Sequence, residues 1–434
     1  MKELTHKPLS GLHGELSVPG DKSISHRGIM FGAISHGQTI LHHFLTAEDC
    51  LSTLKAFQQL GVPIKRTGET VVIDGVGLHG LKKPDKPLDM GNSGTTTRLI
   101  MGLLAGQNFE TTLFGDASLS KRPMKRVSEP LAEMGADICV TEGHLPARIH
   151  GKKLHAIDYH LRVASAQVKS ALILAAIQAD KPSILVEQLP TRNHTEKMLN
   201  AFGAAVETLP DGVTIQVNPQ PKLNGIELTV PGDMSSAAFF LVAATLVPNS
   251  KLILKNVGVN ETRTGLLKIL KQMGGRVVER HRDESGEPTA DLIVSSAALK
   301  PIEIGAAEIP AVIDELPLVA LLAAKANGVS RITGAGELRV KETDRIAAVV
   351  QEFTKLGITI RELPDGFVID GSQPWQVKKH QLDSHGDHRI GMTLAIASLL
   401  VDTSFQLAGA ESVNISYPEF FDDLESVMNV ESYS

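Results

Sequence analysis

"LSVPGDKSIS", residues 16–25, returns as "LTVPGDMSSA", residues 228–237, about half a chain length further on. In both copies a short alternating stretch runs into Pro-Gly-Asp and then into a run of apolar and small residues. Alternation at period two reads as a strand, and the run behind the Asp reads as a buried helix. The first copy also carries three potentially cationic side chains, Lys22, His26 and Arg27, at the start of that helix. A handover repeated mid-chain divides the sequence into two similar halves.

A finer repeat lies inside the halves. "FQQLG" (57–61), "LAEMG" (131–135), "LNAFG" (199–203), "LKQMG" (270–274) and "FTKLG" (353–357) each close an amphipathic stretch with Gly. In "DRIAAVVQEFTKLG" the residues Ile346, Val349, Val350, Phe353 and Leu356 fall at helical spacing. The closing Gly reads as a left-handed cap. Two of these stretches are followed by β-like runs around Pro210-Asp211-Gly212 and Pro364-Asp365-Gly366. Six further stretches are apolar almost all round: "GIMFGAIS", "RLIMGLLAG", "VKSALILAAIQA", "AAFFLVAATLV", "PLVALLAAKANG" and "IGMTLAIASLLV". Helices of that kind belong inside a domain. Polar residues head each one: Lys22-Ser23, Gly91-Asn92-Ser93-Gly94, Ser165-Ala166-Gln167, Gly232-Asp233, Asp314-Glu315 and Gly386-Asp387-His388-Arg389. The pattern predicts an α/β protein of two similar domains, each of three units. Each unit has strands, one buried helix and one surface helix. If the buried helices of a half run parallel, their heads share one cleft, and helix N-termini attract anions.

Composition fits this. The chain has 434 residues, enough for two or three domains, and is 42% hydrophobic but only 4% aromatic. Its net charge of −6 argues against a general nucleic-acid binder, so its cations must be read locally. The two cysteines, Cys50 and Cys139, form no disulfide framework and read as structural residues in a reducing compartment. The opening "MKELTHKPLS" lacks a signal-peptide core, and no apolar run reaches transmembrane length, so a cytoplasmic location is expected.

The heads carry the chemistry. Lys22, Ser23 and Arg27 offer a point charge, a hydroxyl and a planar fork, suited to phosphate or carboxylate. In "GNSGTTTR" (91–98), Gly91 and Gly94 allow close backbone approach, and Thr95, Thr96 and Thr97 are expected to cap the helix. The stretch lacks a Walker A lysine, and alone it reads equally as a structural turn. "SKRPMKR" (120–126) reads as a basic loop in which Pro123 orients Arg122. In "LRVKETDRI" (338–346), Lys341 and Arg345 flank Glu342 and Asp344, with Asp344 near a helix start. "HGDHRIGM" (385–392) has His385, Asp387 and His388 at metal-like spacing. No matching cluster stands elsewhere, so Arg389 held by Asp387 as an anion site is the preferred reading. "IDELP" (313–317) puts Asp314 and Glu315 at a buried-helix head, where a carboxylate is placed to act as a base.

Together, "PGDKSISHR", "GNSGTTTR", "KRPM", "SAQVKSA", "RVKETDR" and "GDHRIGM" resemble, in order and over the full length, the 5-enolpyruvylshikimate-3-phosphate synthase family. The resemblance implies two domains of three βαβαββ-type repeats each, an inverted α/β barrel, with crossings near Pro19-Gly20 and Pro231-Gly232; repulsion between the cations of the two halves makes these crossings the expected hinges of domain closure. The implied division is residues 1–19 plus 232–434, mainly on the phosphoenolpyruvate side, and residues 20–231, mainly on the shikimate 3-phosphate side. It implies that Lys22, Ser23, Arg27, Ser165, Ala166, Gln167, Arg192, Asp314 and Lys341 hold shikimate 3-phosphate. Phosphoenolpyruvate falls to Lys22, Gly94, Arg122, Gln167, Arg345 and Arg389. Asp314 partners the attacking hydroxyl, with Glu342 and Lys22 as candidates for the other proton transfers. No metal and no organic cofactor is implied, and the expected state is a monomer that binds neither nucleic acid nor membrane. One subgroup carries a Lys where "NISYPEFF" has Ile415, and differs at Ser93 and Leu99, so the chain looks like the other subgroup. Gly94 is retained, in a family targeted by glyphosate.

Two alternatives stand beside this. A transferase acting on UDP-N-acetylglucosamine usually begins with Lys-Asn and places Cys or Asp on a mobile loop, whereas "DASLSKRPM" has no Cys at its tip. A non-catalytic anion scaffold gains nothing from Asp314 and Glu342 among its cations.

Overall fold

The computed structural model describes residues 1–4, 10–284 and 286–428. Part of the opening stretch read for a signal peptide, residues 5–9, lies outside them. The chain divides into two compact units, Met1–Pro19 with Pro231–Ser434, and Gly20–Val230. Each has its own mainly aliphatic core.

Among the described residues, twelve α-helices alternate in role. The apolar stretches form α1 (Lys22–Ala33), α3 (Gly94–Ala105) and α5 (Ala166–Ala176) in one unit. They form α7 (Met234–Leu246), α9 (Leu316–Ala323) and α11 (His388–Ser398) in the other. Between them run α2 (Glu48–Gln59), α4 (Lys125–Glu133), α6 (His194–Ala201), α8 (Gly265–Met273), α10 (Arg345–Lys355) and α12 (Phe420–Met428). Five of the six buried helices begin on a side-chain cap: Asp21, Ser93, Ser165, Asp233 and Asp387 each accept a backbone N–H. Such a cap contributes about 1 kcal/mol and fixes where the helix starts. The hydroxyls of Thr95–Thr97 do not cap α3 as expected. Ser93 does, and Thr96 and Thr97 donate back to it.

The sheets follow one rule. In Gly20–Val230, Leu88–Asp89 pairs parallel with Glu110–Phe114, which pairs antiparallel with His144–His150, and that strand with Asp137–Thr141. Asp158–His160, Ser183–Val186, Thr214–Val217 and Val206–Thr208 repeat the order. In the other unit so do Glu303–Ile304, Val329–Ile332, Gly366–Asp370 and Thr359–Leu363. With the intervening helices these are βαβαββ repeats, and the fold is the inverted α/β barrel.

The duplicated stretch departs from the local reading. The strand His13–Leu16 does not share a sheet with the strands that follow α1. It pairs parallel with Lys251–Gly258 in its own unit. Conversely, Glu227–Thr229 pairs parallel with His36–His42 in the unit of α1. The Pro-Gly-Asp stretches are therefore where the chain passes from one unit to the other. The sixth repeat is also irregular: Gln381–Asp383 and Phe405–Ala408 are completed by Lys2–Leu4 from the start of the chain. Cys50 is buried, but Cys139 is exposed, against the structural reading. It lies on the outer strand Asp137–Thr141, where the apolar run is only half covered. Among the described residues, no helix is long and apolar enough to cross a membrane.

All five closing glycines take positive φ. Gly357 and Gly274 have nearly the same φ, 81° and 90°, but different surroundings. A Cβ on Gly274 would stand 3.6 Å from the Ala298 carbonyl oxygen, whereas one on Gly357 would stand 2.0 Å from that of Gln376. Gly274→Ala should therefore cost only the left-handed strain, about 1–2 kcal/mol. Gly357→Ala should cost clearly more, because backbone must also move. Urea denaturation of both variants reads the difference; equal losses would show that the contact with Gln376 is irrelevant.

Candidate active site

In Gly20–Val230 the heads of the three buried helices are tied to one another by side chains. Lys22 opens α1, and its Nζ donates to Asp49 Oδ2 in α2 at 3.1 Å. Ser23 follows, and its carbonyl accepts from Arg27 Nη1 at 3.0 Å. Arg27 is buried. Its Nε donates to Thr195 Oγ1 at 2.7 Å and its Nη2 to Ser170 Oγ at 2.9 Å, joining α1 to α6 and α5. At the head of α3, a Cβ on Gly94 would lie 3.1 Å from both Arg122 Nη1 and Arg98 Nη1. The glycine thus leaves room for two guanidinium groups. Arg122 Nη2 donates to Asn92 Oδ1 at 2.7 Å. Arg98 Nη1 donates to Gln167 Oε1 at 2.5 Å, and Gln167 Nε2 donates to Thr95 Oγ1 at 3.0 Å. Ser165 caps α5, and Ala166 and Gln167 open it. Arg192 stands half-buried in the loop ahead of α6. A chain of short contacts, His26 Nδ1 to Thr53 Oγ1 to Thr96 Oγ1 to Ser93 Oγ, joins α1 to the head of α3 through α2.

In the other unit the heads of α7, α9 and α11 converge through charge. Asp314 lies in the turn before α9. Lys341 Nζ and Arg345 Nη1 each approach its Oδ1 at 3.4 Å, and Arg389 Nη2 approaches Oδ2 at 3.9 Å. The Arg345 side chain, 1% exposed, donates Nε to Asp387 Oδ2 and Nη2 to Glu342 Oε2, both at 2.7 Å. Burial pulls this guanidinium down, but Asp387, Glu342 and Asp314 more than offset that and hold it above the ordinary arginine range. Arg389 Nη1 donates to the Asp314 carbonyl at 3.1 Å and to Glu315 Oε1 at 3.4 Å. Behind Glu315, Ser235 at the head of α7 donates to the same Oε1, and Arg263 Nη2 donates to Ser235 Oγ at 2.7 Å.

Each unit thus presents cations fixed at helix heads, with Asp49 beside Lys22 in one and several carboxylates among the cations of the other, as acid–base chemistry on an anion requires. The family model described as EPSP synthase (3-phosphoshikimate 1-carboxyvinyltransferase) matches residues 6–424. The chain is 62% identical over 424 residues to a 3-phosphoshikimate 1-carboxyvinyltransferase of Lactiplantibacillus plantarum, covering 98% of each. The chain belongs to the EPSP synthase family. An EPSP synthase structure from Acinetobacter baumannii matches with a TM-score of 0.86 and 42% identity, over 98% of each chain. The enolpyruvyl transferase NikO from Streptomyces tendae, at 17% identity and a TM-score of 0.78, over 98% of this chain and 96% of that one, shares the fold.

The preferred reading of Arg389 needs correction, and the geometry bears on two weaker possibilities, a metal triad and a cationic His26. Asp387 does not hold the Arg389 side chain. Its carboxylate takes Arg345 and caps α11 through the Arg389 backbone N–H at 2.8 Å, while Glu315 takes the Arg389 guanidinium. His385, Asp387 and His388 do not converge: His385 Nε2 pairs with Glu352 at 2.8 Å. Among the described residues no three His, Cys, Asp or Glu side chains gather as metal ligands. His26 is disfavoured as a cation. It is fully buried, and burial, then Lys22 and Arg27, push it well below its ordinary 6.5. Sequence reasoning also passed over Asp49, Arg98, Ser235 and Arg263. Arg98 and Ser235 stood inside quoted motifs, whereas Asp49 and Arg263 carried no signal beyond their residue type.

The buried His26 has a consequence for pH. The unfolded chain takes a proton there below about pH 6.5 and the native fold does not, so stability present above that pH is lost as pH falls. The slope is about 1.4 kcal/mol per pH unit for one proton, down to the much lower native value. His26→Gln should flatten the wild-type stability curve by about 1 kcal/mol between pH 6.5 and 5.5 in urea titrations, because the unfolded histidine is only half protonated at pH 6.5. Parallel curves for the two proteins would mean that His26 is protonated in the native state.

Proposed function

We propose that this chain, a transferase of the shikimate pathway, moves the enolpyruvyl group of phosphoenolpyruvate to the 5-hydroxyl of shikimate 3-phosphate, with the site residues divided as follows. Shikimate 3-phosphate is held by Lys22, Ser23, Arg27, Ser165, Ala166, Gln167, Arg192, Asp314 and Lys341. Phosphoenolpyruvate is held by Lys22, Gly94, Arg122, Gln167, Arg345 and Arg389. The observation that carries this reading is the fixing of Arg27, Arg345 and Arg389 by hydrogen bonds at helix heads. Cations held in place need no reorganisation as charge develops on phosphate and carboxylate.

The 5-hydroxyl oxygen bonds to C2 of phosphoenolpyruvate while C3 takes a proton. Asp314, faced by Lys341, Arg345 and Arg389, receives the hydroxyl proton. The tetrahedral adduct then loses a proton from C3 as the C2–O bond to phosphate breaks. That restores the double bond and releases phosphate. Glu342 and Lys22 serve the C3 proton and the departing phosphate. The same reading includes a cytoplasmic monomer that acts on small anions and not on nucleic acid.

Lys22→Met should lower turnover by about 10²–10⁴-fold, the usual loss on removing an acid–base group. Turnover within a few-fold of wild type would remove Lys22 from the chemistry. Arg27→Gln should weaken binding of shikimate 3-phosphate alone, measured by calorimetry, whereas Arg389→Ala should leave that affinity nearly intact. Equal weakening by both would contradict the division.

A further inference from the structure

A buried ionic cluster lies behind the Arg27 network and takes no part in the roles above. Lys169, on α5, is 1% exposed, and Glu187, Thr191 and Glu196 around it are all buried. Its Nζ donates to Glu187 Oε2 at 3.0 Å and to the Thr191 carbonyl at 3.3 Å, and lies 2.8 Å from Glu196 Oε1. Glu187 Oε1 in turn accepts from Thr191 N at 3.2 Å and from Thr191 Oγ1. Both backbone polar groups of Thr191 are therefore gripped by one ion pair. The next residue of α5, Ser170, shares a 2.7 Å hydrogen bond with Thr195 Oγ1, and both hydroxyls accept from Arg27.

The residues from Glu187 to Glu196 thus form a strap pinned at its start, middle and end. Arg192 lies between Thr191 and Thr195 on that strap. Burying one ammonium with two carboxylates is costly, and apolar side chains of the same volume stabilise a fold as well or better. What such a cluster adds is a single position for the chain that carries it. We propose that Lys169 is a positioning residue for shikimate 3-phosphate: with Glu187 and Glu196 it fixes the strap, and through Thr195 and Ser170 it sets the Arg27 guanidinium. The inference rests on Arg27 and Arg192 facing that substrate.

The double variant Lys169→Met/Glu196→Gln tests it. This variant removes one positive and one negative formal charge and keeps the Glu187–Thr191 contacts. The calorimetric Kd for shikimate 3-phosphate should rise about tenfold, because small misplacements of binding groups are expensive. The KM for phosphoenolpyruvate should stay within about threefold, and backbone amides 188–193 should exchange with solvent faster, those of α5 unchanged. Should the double variant not fold, Lys169→Arg, which keeps the charge but replaces the compact ammonium that meets Glu187, Glu196 and the Thr191 carbonyl at one point, is read the same way. Wild-type affinity for shikimate 3-phosphate, or equal weakening of both substrates, would overturn the role of Lys169. Arg27→Gln separates the two levels. If it leaves shikimate 3-phosphate binding intact, the assignment of Arg27 fails. If it weakens binding while the Lys169 variants do not, only the positioning role fails.

Discussion

A guanidinium taken out of water must find its counter-charges nearby, and Arg345 meets that constraint with Asp387, Glu342 and Asp314. Leaving such a cation unpaired costs several kcal/mol, so the four residues are set together or not at all. The consequences spread through the unit. Asp387 is also the cap of α11, Glu342 precedes the start of α10, and Asp314 forms the turn ahead of α9. One buried cation thereby locks three helix heads, and the same heads bring Lys341 and Arg389 beside Asp314.

The unit of residues 20–230 reaches a comparable end by different bonds. Hydroxyls and amides take a larger visible part: Thr195 and Ser170 on Arg27, Asn92 on Arg122, Gln167 on Arg98. Lys22 rests on Asp49. In both units the groups proposed to bind the substrate anions are oriented by protein atoms, which is what electrostatic stabilisation of a phosphate-releasing step requires.

Much of this was written in the sequence. The apolar stretches, the closing glycines and the motif order gave the helices, their caps and the family, because each depends on neighbours a few residues away. What the sequence hid was partner choice through space. The strand His13–Leu16 reads as the lead-in to α1, yet it pairs with Lys251–Gly258 more than two hundred residues on. Lys2–Leu4 is too short for any periodicity and still completes a sheet with Phe405–Ala408. Asp387 stands two residues from Arg389 but gives its side chain to Arg345, since helix geometry turns a cap away from the second residue's side chain while holding its N–H. Glu315 was visible only as the neighbour of Asp314; its bond to Arg389 depends on α11 packing beside α9.

The central claim is that these anchored cations and carboxylates carry enolpyruvyl transfer to shikimate 3-phosphate. It is met most directly by mixing the purified protein with phosphoenolpyruvate and following phosphate release, with shikimate 3-phosphate or UDP-N-acetylglucosamine as acceptor. The account predicts one phosphate per shikimate 3-phosphate consumed, a new enolpyruvyl ether on the 5-oxygen by NMR, and no release with the nucleotide sugar. Release with UDP-N-acetylglucosamine, or none with shikimate 3-phosphate, would contradict it.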